Sequence, residues 1–163
     1  MRMRFGGYSV PAEMEIVLAV GKNFGIDEAL SIYTSKIYIN DWVSMKYKCN
    51  TSSCSHMTSP EQTRKILGEY SKAVLVIGKK TEDFKTAVLA MEKELYNKGY
   101  YKALALINGP CDFCSNGKNS TAAKRPSFEP MGIDILATVR KFKKNVEQPK
   151  EGEIPPYAII LVE

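Results

Sequence analysis

Apolar positions recur along the chain with two different periods, and turn-forming residues mark where one gives way to the other. Over 11–23, Met14, Val17, Leu18 and Gly21 share one side of a predicted helix, which Gly25 closes. Two β-prone stretches follow at 28–33 and 36–39, and 41–48 extends the second. The short polar side chains of 50–58 predict a loop. Ser59-Pro60-Glu61-Gln62 reads as a helix start, with serine capping, proline at the first helical position and glutamine where a capping box places it. That helix is expected to reach about Tyr70 and to bury Ile66, Leu67 and Tyr70.

The run over 72–77 is apolar throughout and of strand length. Thr81 opens another helix, with Glu82 and Asp83 in its first turn and an apolar stripe of Phe84, Ala87, Val88, Met91 and Leu95; Gly99 ends it. A second buried strand is expected over 102–107, a Ser/Asn/Gly/Lys loop over 115–124, and helical material over 125–144 interrupted near Pro130 and Gly132. A polar connection over 145–156 leads to a last strand over 157–162. Strands that are apolar on both faces and alternate with amphipathic helices predict an α/β fold. The expectation is one domain spanning 1–163, with a mixed, mostly parallel sheet and helices on both faces.

At 163 residues, 44% hydrophobic and 25% charged, the chain excludes disorder, collagen and a disulfide-dense mini-protein. No apolar run approaches the roughly 20 residues of a membrane span, and no apolar stretch follows the basic start Met1 to Arg4. The expectation is a cytoplasmic protein without a membrane partner. The net charge of +5 gathers partly at Arg140, Lys141, Lys143 and Lys144, with a smaller pair at Lys79 and Lys80. One aromatic, Phe142, falls within the first cluster, but with no nucleic-acid motif these read as a solvated helix face rather than a nucleic-acid interface. Neither a Walker loop nor GxGxxG is present, so nucleotide binding lacks its usual signature.

The cysteines change the picture. All four fall in two close pairs, Cys49 with Cys54 and Cys111 with Cys114. In a reducing compartment such pairs point to a metal or to redox chemistry more than to structural disulfides. Asn108-Gly109-Pro110-Cys111-Asp112-Phe113-Cys114 directly follows a predicted strand, where a turn can aim two sulfurs and several N–H groups at one point. Two short-range pairs separated by a long insert make a four-cysteine pattern that suits tetrahedral Zn2+ or a [4Fe–4S] cluster. Four thiolates leave either species at a net charge of about −2, which Lys46, Lys48 and Lys118 partly offset. His56, the single histidine, is a further candidate ligand. A thioredoxin-like dithiol would need Cys111 at a helix N-terminus, whereas Pro110 precedes the motif and no adequate helix follows at once. Arg125 and Glu129 lie four apart and would share a helix face, as a structural pair or as a hold on an anionic ligand or reduced cluster. Gly132 suits a turn that needs positive φ.

Several of these stretches carry a resemblance. Residues 101–106, Gly109-Pro110-Cys111-x-x-Cys114, Arg125-Pro126-Ser127-Phe128-Glu129 and Gly132-Ile133-Asp134-Ile135 are similar to the predicted metal-binding protein family, domain of unknown function 2284. Lys48-Cys49, and Cys54 leading into Ser59-Pro60-Glu61-Gln62-Thr63-Arg64-Lys65, resemble that family's first cysteine block and the helix after it. Members of the family commonly carry further cysteines and a Cys-Pro-Pro step; here Cys54-Ser55-His56 stands instead, and 115–124 holds no cysteine. The chain therefore resembles a reduced member with ligands for one metal centre rather than two.

The leading expectation is a cysteine-ligated metal-binding protein with one iron–sulfur cluster or zinc ion, in an electron-transfer or accessory role beside a redox partner protein. The alternatives are a small enzyme using a reactive thiol of Cys111 or Cys54, and a metal-free α/β binding module.

Overall fold

The computed structural model describes residues 15, 19–46, 59–78, 84–108, 125–146, 150 and 156–163. The loops expected over 50–58 and 115–124 lie outside that set, and of the helix expected over 11–23, residues 15 and 19–22 are described and helical. Gly25, with φ of 84°, turns the chain out of that helix into the first strand. No helix among the described residues is long and apolar enough to cross a membrane.

Four strands, β1 (Ile26–Tyr33), β2 (Lys72–Gly78), β3 (Leu104–Ile107) and β4 (Tyr157–Leu161), form one sheet in the order β1-β2-β4-β3. Between them in the chain run the helices α1 (Asp41–Lys46), α2 (Pro60–Gly68), α3 (Phe84–Asn97) and α4 (Ile135–Phe142). Every neighbouring pair of strands is antiparallel, which corrects the mostly parallel sheet expected above. The reason is topological. The helix α3 that joins β2 to β3 returns the chain in the same direction but leaves a gap one strand wide, and β4 fills it running the other way. An apolar run reports burial on both faces, and a central antiparallel strand shares that property with a parallel one.

Side chains alternate cleanly between two apolar layers. Val74, Val76, Ala158 and Ile160 face α3 through its Phe84, Val88, Met91 and Leu95. Leu75, Ile77, Ile159 and Leu161 face the opposite layer with Leu67, Phe128, Ile133 and Val139. That second layer is roofed by α2 and α4.

Three local expectations are revised. Instead of a strand over 36–39, a 3-10 turn spans Thr34–Lys36 and one isolated bridge joins Ile39 to Ile133. Residues 41–46 are helical rather than a strand extension, with Asp41 in the first turn, where a carboxylate favours the helix dipole. Residues 125–134 are bridges and turns rather than helix, and α4 starts only after Asp134, whose carboxylate accepts from Ala137 N–H at 3.0 Å. Gly132 adopts φ of 83°, and a Cβ there would stand 3.0 Å from Pro60 Cγ and 3.3 Å from the Asn40 carbonyl oxygen.

The start of α2 follows its sequence signature: Gln62 N–H donates to Ser59 Oγ, and Ser59 N–H donates to Gln62 Oε1. Ser59→Ala removes one half of this reciprocal pair and is expected to cost about 1 kcal/mol in urea unfolding.

Candidate metal centre

Cys49, Cys54, His56, Cys111 and Cys114 all lie outside the described residues. What the structure does fix is the chain on either side of each cysteine pair. The first pair lies between Lys46, which ends α1, and Ser59, which caps α2; the second lies between Asn108, just beyond β3, and Arg125.

The second gap is closed at its base. Ile107 and Ser127 form a parallel bridge, with Ile107 N–H donating to the Pro126 carbonyl at 3.2 Å and Phe128 N–H to the Ile107 carbonyl at 3.3 Å. β3 is an edge strand, so these bonds also occupy backbone groups that would otherwise stay unpaired. Ala105 N–H, two residues earlier, donates to Glu92 Oε2 at 2.5 Å. Glu92 reaches the sheet edge from α3 and is itself gripped by Arg125, whose Nε lies 2.8 Å from Oε2 and whose Nη2 bonds Oε1. With side chains only 23% and 10% exposed, this two-point pair is mostly removed from water and joins α3, β3 and the chain leaving the second cysteine segment. Arg125 thus engages Glu92 across the fold, and the shared helix face expected with Glu129 does not form, because 125–134 is not helical. Glu129 accepts from the Ser127 hydroxyl at 2.7 Å.

The first gap is framed from the other end of the same segment. Asn40 N–H donates to the Gly132 carbonyl at 2.8 Å, Asp134 N–H to the Tyr38 carbonyl at 2.8 Å, and the buried Thr63 hydroxyl to the Met131 carbonyl at 2.7 Å. Asn40 Nδ2 donates to Asp134 Oδ2, and Arg64 on α2 pairs with Asp41 on α1 at 3.3 Å. Residues 125–134 therefore tie the flanks of one cysteine segment to the flanks of the other.

Glu92 is the residue that sequence reasoning passed over. Its signal was present: it sits four after Val88 and three before Leu95, a carboxylate on the apolar stripe of α3. Nearby, burial pushes the Tyr70 phenol above its ordinary value, and the negative charge of Glu92 adds to the rise. The Tyr70 hydroxyl donates to the Lys102 carbonyl at 2.8 Å.

Among the described residues no group of three or more histidine, cysteine, aspartate or glutamate side chains is placed to hold a metal ion. A set of four thiolates, were the cysteines to converge, has the donor chemistry that suits zinc or an iron–sulfur centre. No curated protein matches the chain, and no solved structure does. The predicted metal-binding protein family, domain of unknown function 2284, matches residues 31–162, from within β1 to just beyond β4, and the chain belongs to that family.

Proposed function

We propose that Cys49, Cys54, Cys111 and Cys114 converge on one metal centre, an iron–sulfur cluster or a zinc ion, and that the protein works in the cytoplasm as an electron-transfer or accessory protein beside a redox partner. The observation that supports this best is the tie made by 125–134, which links the flanks of both cysteine segments. Each cysteine stands within six residues of a described flank, counted from Lys46, Ser59 or Asn108. At about 3.5 Å per residue that is a reach of about 10–20 Å, enough for two segments anchored to one strip of chain to meet.

In this reading the thiolates are the ligands, and N–H groups of the 109–114 turn set the electrostatics around the sulfurs. Arg125, committed to Glu92, positions the second segment rather than touching the centre. Lys46, exposed at the end of α1, adds positive charge beside the first pair. An iron–sulfur centre supplies one-electron transfer, whereas four-thiolate zinc is closed and structural. His56 is the remaining candidate ligand, for a site in which it replaces or supplements a cysteine.

The test is iron, zinc and acid-labile sulfide analysis of anaerobically purified protein, with visible spectra of the wild type and of each Cys→Ser variant. Bound metal in the wild type, lost in all four variants and kept in His56→Ala, is the expected result. Metal retained in Cys49→Ser, or free thiols without metal in the wild type, would overturn the reading and favour a reactive CxxC thiol.

A further inference from the structure

At the end of β1 the chain turns through Thr34–Lys36 and opens a cleft of about 490 Å3 against α2. That volume falls within the range of small-molecule sites. Ile37 and Leu67, buried in the second apolar layer, line it from below, with Tyr33 and Tyr70 beside them. We propose that this cleft binds a small monocarboxylate with an apolar body, of the aryl-alkanoate or branched-alkanoate kind, its carboxylate held by Arg64. The inference stands apart from the metal reading.

Three observations carry it. The first is polarity. The Thr34 hydroxyl is already committed to the Tyr70 carbonyl at 2.6 Å and the Ser71 hydroxyl to the Glu163 carbonyl at 3.1 Å. Among the described lining residues Arg64 is the cation, so the cleft offers one guanidinium for one anionic group, and a polyphosphate would find no further counter-charge among them.

The second is availability. Arg64 pairs with Asp41 at 3.3 Å with side chains 52% and 73% exposed, and an ion pair so open to water is held weakly. A carboxylate seated over apolar side chains can accept two parallel N–H bonds from the same guanidinium in a drier setting, and displaces Asp41 from it.

The third is Gly68, the last residue of α2, which lines the cleft. Its φ is not positive, and a Cβ built there would meet nothing within 4 Å. Backbone geometry therefore does not require glycine, although glycine in a helix is less favourable than alanine. A larger side chain at this lining position has open space to occupy.

The experiment is a titration of the 15N-labelled full chain followed by NMR, with phenylacetate and 3-methylbutanoate as ligands and phenylacetamide and phenethylamine as neutral and cationic controls. Saturable shifts confined to 33–39 and 64–71, at least about tenfold tighter for the carboxylates than for the amide, are expected. Arg64→Gln should weaken binding about tenfold, and Gly68→Phe should abolish it, both with the remaining spectrum unchanged. Equal binding of amide and carboxylate, binding that survives Gly68→Phe, or no saturable shift at millimolar ligand would each overturn the proposal.

Discussion

Arg125→Met is expected to lower the unfolding free energy by about 3–5 kcal/mol, the usual cost of stranding one member of a buried ion pair. The substitution keeps much of the side chain's apolar volume but leaves Glu92, 8% exposed, with Ala105 N–H as its remaining described partner. The double variant Glu92→Gln/Arg125→Met should lose less than the sum of the single losses. It buries no uncompensated charge, and the amide oxygen of glutamine can still accept from Ala105 N–H. Urea unfolding of the four proteins, with the slope checked for constancy, measures the coupling directly. A single-variant loss below about 1 kcal/mol, the size of an exposed pair, would show that water screens the two groups after all.

Phe128→Ala carries an effect of similar size, about 3–5 kcal/mol, for a different reason. Phe128 is among the largest fully buried side chains, and it sits where the strip that joins the cysteine flanks presses on the sheet. Its N–H donates to the Ile107 carbonyl, and its own carbonyl accepts from Ile133 N–H at 3.0 Å. Truncation leaves a cavity under two backbone bonds that fix the strip, so the loss should include local loosening as well as transfer energy. Phe128→Leu should cost distinctly less, since it keeps apolar contact with the same layer. Hydrogen exchange at Phe128 and Ile133 amides reads the local part: both should open more readily in the alanine variant than global unfolding explains.

Much of the fold could be read from the sequence, and the failures share a cause. The capping box at Ser59, the stripe of α3, the apolar runs of β2 and β4, and the positive φ at Gly132 are local signals, and the structure carries each one. Strand direction is not local: nothing within 157–162 distinguishes insertion between β2 and β3 from addition at an edge. Residues 41–46 misled because Trp42, Val43 and Met45 favour strands about as well as helices, while Asn40-Asp41 ahead of them was the signal for a helix start. At the candidate site the cysteine spacing was legible, but the grip on its base was not. Arg125 and Glu129 share a face only if 125–129 is helical, which it is not, and the ion pair that Arg125 makes with Glu92, 33 residues away on α3, has no local signal.

The place of β4 also governs the order in which the fold can be completed. Val76 must wait for Ala158, about eighty residues later, before β2 gains its second neighbour. At 5–20 residues per second, a ribosome takes about 4–16 s to make that stretch. Until β4 follows, the place between β2 and β3 is unfilled, and the apolar edge of β2, later joined by that of β3, lacks its partner and is open to other chains. The nascent protein is therefore most exposed to aggregation late in its synthesis, and any delay between β3 and β4 lengthens that exposure.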